Sequence, residues 1–531
     1  MKIRVVSLYL LFGVTVLPLF PQSANGGSDS IFVINAFYFN IEGRTRPESV
    51  IRVGEFKKGE ELKGRENLDK YIKDKTQLLL NQRVLKKVEI EYTIGERLKN
   101  GKYPVDLMLS LEDTWNIIAV PYPKYDTNSG FELIVKARDY NFMGSMNPLR
   151  LDFGYQYDEN GRNSLVFELD SDTPFRAFGY NWNFNFDHVF NYRPDTSEPY
   201  YYKNVTGLSM ELPFKTTTFT FGVEESFFLN EENSDRYKPD YGDFQSGLYL
   251  SSLLYTSWKI PSGLEISSYG EVTYTPKISV TFNNRLSGMS LDAFRLGPFI
   301  GFDHSLGFNR IDWIGNYRRG LDVSIRNAFK YDFHRVDRNI SPLDIDYSVV
   351  GTGHFILHDN FGISSNLQFR HWIYQDPNYN GSAADALRGI LDKAVHANYM
   401  LSLNLDFPFR VLQFLPSQWF HTSKLRFFDF DMHVSPIFDM AIYEAPSSGN
   451  PLPSTSIITL GSNNMLFTGG LEVIVFPAFM RSLYIRASLA WNFVEQINNP
   501  GAYYLNPVFP IIPHLPGGDN REIFVGIGHH Y

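Results

Sequence analysis

The residue types that usually carry chemistry are sparse in this chain of 531 residues. There is no cysteine, so a thiolate nucleophile, a zinc ribbon and a disulfide framework are all excluded. The spacings Gly-x-Ser-x-Gly and His-Glu-x-x-His and a glycine-rich phosphate loop are absent. His354 and His358 are four apart, but they lie in a stretch that reads as strand. There they share a face about 13 Å apart, at ~3.3 Å per residue, which is too far for one metal ion. They read as polar residues of a barrel interior. The expectation is a protein that is not an enzyme, with no catalytic residue, cofactor or metal. What stands out instead is a short tip, Leu387-Arg388-Gly389-Ile390, in a Gly/Asn/Asp-rich segment that begins near Asp376. Arg388 offers a planar fork of donors, and Gly389 permits a tight backbone approach or a positive φ.

The elements around this tip are alternating strands. Directly after it, Tyr399, Leu401, Leu403, Leu405, Phe407 and Phe409 fall on one face, and Ser402, Asn404 and Asp406 on the other. The same period recurs at Leu149 to Asp158, at Leu367 to Tyr374 and at Ser482 to Phe493. Each run is about ten residues long, enough to cross a bilayer at a tilt of ~45°. Phe, Tyr and Trp make up 16% of the chain, which exceeds what a soluble β-sandwich needs, and no run past the N-terminus is a membrane helix. The opposite faces carry Arg, Asp, Gln and Glu, which suit a wet lumen. A transmembrane antiparallel β-barrel is therefore expected over residues 115–531, with about sixteen strands and up to eighteen. Turns are expected at Pro261-Ser262-Gly263 and Arg318-Arg319-Gly320, and longer exterior loops at 193–201, 229–243 and 281–293. The formal charge of −9 gives no reason to expect nucleic acid.

Ahead of the barrel, Lys2 and Arg4 precede an apolar core from Val5 to Phe20, with small residues at Ser23 and Ala24. This pattern predicts an export signal over residues 1–24. Residues 31–114 read as a small α+β domain. Strands are expected at Ile31–Ile41, Val84–Ile90 and Val105–Leu111. A short helix holds Val50 and Ile51, with Thr45 as its N-cap and Pro47 in its first turn. A second helix spans 66–80 with Leu68, Tyr71, Ile72 and Leu79 on one face, and Gly101 lies in the hairpin loop.

Taken together, these motifs resemble the BamA/TamA/two-partner-secretion superfamily of outer-membrane barrels, the bacterial surface antigen family. The order strand, helix, helix, strand, strand is that of a single POTRA domain, with Glu42-Gly43-Arg44-Thr45 at its turn. Asp139-Tyr140-Asn141-Phe142-Met143-Gly144 resembles the family's barrel entry, and Leu387-Arg388-Gly389-Ile390 its loop-six signature. Val434 to Ala441 resembles the strand whose acid meets the loop-six arginine, with Ala441 where glycine is usual. Glu522 to Tyr531 resembles the terminal strand signal, through Ile523, Val525, Gly526, Ile527 and the final aromatic Tyr531, although His529 replaces an apolar residue. The resemblance implies sixteen strands and a tip folded into the lumen with Arg388 on Asp439. It also implies assembly of outer-membrane proteins, or translocation of a secreted partner, by strand templating. The implied partners are outer-membrane lipids, unfolded clients or a secreted protein, and accessory periplasmic or lipoprotein subunits. The implied place is a Gram-negative-type outer membrane with the POTRA domain in the periplasm. The alternative function is a passive channel or structural surface barrel.

Overall fold

The computed structural model describes residues 30–127, 130–157, 162–194, 199–230, 247–265, 270–288, 297–336, 341–373, 381–391, 395–444, 464–478, 483–493 and 521–529. The expected export signal and the terminal Tyr531 lie outside them, as does the side chain of Ile527. The chain divides at Asp113 into two compact units.

The first unit is an α+β sandwich. Strand β1 (Ile31–Glu42) is followed by helix α1 (Pro47–Val53), a short β2 (Glu61–Lys63), helix α2 (Arg65–Asn81), β3 (Leu85–Ile94) and β4 (Tyr103–Asp113). The sheet order is β2-β1-β4-β3, with β1 parallel to β4. Alternation on β4 buries Val105, Leu107, Leu109 and Leu111, and α2 lays Leu68, Tyr71 and Leu79 over them. Lys75 shares that buried helical face, where its ammonium donates to the Glu55 carbonyl (3.1 Å), and Ile72 is only half-buried. Thr45 does not cap α1. Its hydroxyl donates to Asp113 (2.6 Å), and Arg46 takes the N-cap position without a side-chain bond. The nearby carboxylate at the end of β4 outcompetes the local cap. The edge strand β2 went unread because three residues carry too little alternation.

The second unit is a closed antiparallel barrel. Its strands are β5 (Ile117–Asp126), β6 (Gly130–Asp139), β7 (Leu149–Tyr157), β8 (Asn163–Ala177), β9 (Tyr180–Tyr192), β10 (Tyr200–Phe214), β11 (Thr217–Leu229), β12 (Gly247–Glu265) and β13 (Glu271–Gly288). They continue as β14 (Phe299–Ile314), β15 (Tyr317–Asp332), β16 (Leu343–His358), β17 (Phe361–Ile373), β18 (Tyr399–Asp406 continued by Phe409–Phe414), β19 (Phe430–Glu444), β20 (Met465–Pro477), β21 (Leu483–Asn492) and β22 (Arg521–His529). The two stretches of β18 occupy one position, because both pair with β17 and β19 across a break at Phe407-Pro408. The described residues thus give eighteen strand positions, the top of the range expected from alternation and two more than the family resemblance implies.

Two expected turns are strand interior. Pro261 pairs with Thr273 inside the β12–β13 ladder, which continues to Glu265 opposite Glu271. Arg318-Arg319-Gly320 lies within β15, and the turn precedes it at Gly315-Asn316. Gly320 is required by a close approach instead, since a Cβ there would meet the Arg310 carbonyl oxygen. The Asp139–Gly144 stretch forms the β6–β7 turn, where Asp139 accepts the Asn141 amide (3.1 Å) and Asn141 accepts that of Met146 (2.9 Å).

The outer surface exposes Leu133, Val135, Phe153, Val223, Leu254, Ile325, Leu471 and Ile485. Inward positions carry ion pairs such as Lys124–Glu132 (3.3 Å) and Lys136–Asp152 (3.6 Å), and Arg326 with Asp303. An apolar outside and a charged inside is the reverse of a soluble barrel and is the pattern a bilayer requires.

Candidate functional site

Residues 381–391 of the connection from β17 to β18 lie inward across the wall formed by β18 to β22. Alternation determines which side chains await it. Asn404, Asp439, Thr468 and Asn492 lie directly opposite one another on β18, β19, β20 and β21, so one polar row crosses four strands. Asp406 lies two residues beyond Asn404 on the same face. The tip arrives over this row.

Arg388 is the centre of the contact. Its Nε donates to Oδ2 of Asp439 (2.9 Å), its Nη2 to Oδ1, and its own backbone N–H also to Oδ2 (2.9 Å). The remaining arm, Nη1, donates to Asp406. Asp439 is 1% exposed, whereas Asp406 is one-third exposed, so the guanidinium bridges a buried carboxylate and a wetter one. The planar fork satisfies both oxygens of Asp439, which a point-charge ammonium cannot do with the same geometry.

Neighbouring tip residues fix its pose. Leu387 and Ile390 are buried with Ala384 and Ala441 against Val395 and Leu466. Ala441, where the resembling family has glycine, lies under this apolar contact, and its single methyl is accommodated. Asn404 donates from Nδ2 to the Ala386 carbonyl (2.7 Å). Gly389 has φ +97°, and a Cβ there would come within 2.6 Å of the Trp491 nitrogen on β21. Only glycine lets the backbone sit this close. Its N–H donates to Glu522 of the last strand (3.1 Å). The tip therefore touches the carboxylates of three strands, Asp406 on β18, Asp439 on β19 and Glu522 on β22. Asp406 was legible on the polar face from alternation, but nothing in the local sequence marks it or Glu522 as a partner of the tip.

The last strand begins at Arg521. Ile523 is buried and Val525 is exposed on the outer face. A Cβ on Gly526 would meet the Tyr122 hydroxyl at 2.6 Å, so this glycine makes room for an inward tyrosine of β5. Closure between β22 and β5 is short. The register joins Phe524 to Asp126 and Val525 to Tyr125, and Thr127 adds an N–H bond to the Ile523 carbonyl (3.3 Å). By contrast β14 and β15 pair along their whole length. His354 is buried and bonded to Ser364 (2.7 Å), while His358 lies past a register shift at the strand end.

No protein-family model and no curated protein matches the sequence. Among solved structures, the chain is similar to CdiB from Acinetobacter baumannii, at 12% identity and TM-score 0.48, over 94% of this chain and 74% of that one. It is similar to BamA from Haemophilus ducreyi lacking POTRA domains 1–3, at 11% identity and TM-score 0.39, over 94% and 85%. CdiB from Escherichia coli follows at 8% identity and TM-score 0.40, over 96% and 92%.

Proposed function

We propose that this chain is an outer-membrane factor that inserts or translocates unfolded polypeptides, working through strand pairing at the barrel seam. The observation that carries the proposal is the tip itself. An arginine bound to a buried aspartate places the adjacent glycine on Glu522 of the strand that closes the barrel. A plain pore needs no such brace on its closing strand. A seam joined over two residue pairs costs little backbone bonding to open, and an opened edge offers amides and carbonyls to an extended client. The first unit has the β-α-α-β-β order of a POTRA domain plus one short edge strand, and we assign it the reception of incoming segments by the same edge addition. It would lie in the periplasm, with the export signal at residues 1–24 directing the chain there.

The reading fits the motifs from which the family resemblance was drawn, because the loop tip, the acid-bearing strand and the last strand meet in space. The clients are unfolded outer-membrane proteins or one secreted partner. The decisive experiment is depletion of the protein followed by quantification of the outer-membrane proteome and of secreted proteins. Selective loss of one set of barrels or of one exported protein is expected. Unchanged profiles, together with ion conductance in planar bilayers, would establish a passive channel instead.

A further inference from the structure

The seam is asymmetric, and the cause is written into β5 as Val120-Pro121-Tyr122-Pro123. In an antiparallel strand, the N–H and C=O of one residue point to the same neighbour, and the direction alternates along the chain. The Tyr140 N–H bonds the Asn116 carbonyl (2.8 Å), so even-numbered residues at this strand face β6. The Thr127 N–H bonds the Ile523 carbonyl, so odd-numbered residues face the seam. Both prolines are odd. Their missing N–H groups therefore fall on the edge that should zip to β22, at two successive bonding positions.

Extending the register of Asp126 with Phe524 brings Pro123 opposite Ile527 and Pro121 opposite His529. Pairing stops short of both, although residues 117–126 and 521–529 are all described. On β22 the odd residues face the seam, as Ile523 does. The backbone of Ile527 and His529 therefore turns an intact set of donors and acceptors toward an edge that cannot answer with donors. The proline rings themselves are exposed on the outer face, so neither is needed to fill the interior.

We infer that the seam is a one-sided docking site. Pro121 and Pro123 bar β5 from templating past Tyr125, and an incoming extended polypeptide adds to the edge of β22 at Ile527 and His529. This rests on the assembly reading above and names the strand that would receive the client. An extended polypeptide is the occupant that fits, because it alone supplies alternating amides and carbonyls along a strand edge. Growth of the pairing toward Arg521 then has to displace only the short closure at Tyr125 and Asp126.

The test uses the full chain in detergent or nanodiscs. Amide exchange should be at least tenfold faster at Ile527 and His529 than at Val525. In Pro121→Val/Pro123→Val, which restores both donors, exchange at those two amides should slow by at least tenfold. The probe for docking is a synthetic peptide of residues 117–126 with valine at both proline positions and a photoreactive group at Tyr122. It should cross-link to residues 521–529 of the wild-type barrel, and capture should fall at least fivefold in the double variant. Slow exchange at Ile527 and His529 in the wild type would overturn the inference. So would cross-links on β5, absence of cross-links, or equal capture by the double variant. The wild-type arms stand even if the variant fails to fold. A seam behaving as stated with an unchanged proteome on depletion would refute the assembly reading alone. A selective proteome loss with a fully protected seam would refute this inference alone.

Discussion

Replacing Arg388 by alanine removes three side-chain bonds, two to Asp439 and one to Asp406, and leaves Asp439 with the backbone N–H alone. Asp439 is almost wholly buried, so the loss resembles breaking a buried ion pair, which costs 3–5 kcal/mol. Water reaches Asp406, so the low end applies, and a change of about 3 kcal/mol raises the undocked fraction of the tip roughly 100-fold. The chain has no cysteine, so Ala384→Cys, buried in the tip's apolar cluster, provides a single reporter. Its labelling by a membrane-impermeant maleimide should accelerate by about that factor in Arg388→Ala. Arg388→Lys should recover a minor part, since one ammonium cannot hold both oxygens of Asp439 and also reach Asp406. Arg388→Asp with Asp439→Arg should restore some docking relative to either single change. The new carboxylate would face Asp406, so adding Asp406→Asn should improve the rescue further. An unchanged labelling rate in Arg388→Ala, or purely additive effects in the swap, would refute the brace.

Gly389→Ala should raise the same labelling rate without altering charge, because a Cβ at φ +97° collides with the β21 backbone, at a cost of about 1–3 kcal/mol. The intact barrel should migrate faster on a gel when unheated than after boiling, and recovery of the mature chain as a soluble periplasmic protein would contradict the membrane assignment. In the first unit, Glu55 follows α1 with φ +51° in a Schellman turn (Phe56 N–H to Ile51 O, 3.0 Å), so Glu55→Gly should stabilise that unit to urea by about 1 kcal/mol. Burial holds the Lys75 ammonium below its ordinary pKa of 10.5. Between that lowered value and 10.5 the unfolded chain binds the proton and the native one does not, so stability rises with pH there. Burial raises Tyr71 above its ordinary 10.0, which works in the opposite direction above pH 10. The rising limb should therefore show below pH 10 in urea melts of residues 31–114 and vanish in Lys75→Met.

Period-two alternation carries most of this architecture. Each strand states its own inward and outward residues, because a strand that crosses a bilayer must be apolar on one side only. That is why the barrel, and Asn404 and Asp406 as lumen-facing groups, could be read directly from residue order. The loop tip was singled out through its family resemblance, Arg-Gly between a polar loop and an alternating strand, and not by periodicity. What local order could not state is anything set by closure. Alternation left the strand number as a range, and only the closed ladder gives eighteen positions among the described residues. Pro261 and Arg318-Arg319-Gly320 have turn-like compositions, yet neighbouring ladders hold both in strand. Thr45 has a cap's chemistry and is claimed by Asp113, 68 residues away. Glu522 meets Gly389 across 133 residues, a contact that exists only because the loop turns inward over five adjacent strands. The prolines of β5 stand in the residue order, but their significance depends on parity. Only the ladders on either side reveal that the missing donors face the seam, where two short strands must close the barrel.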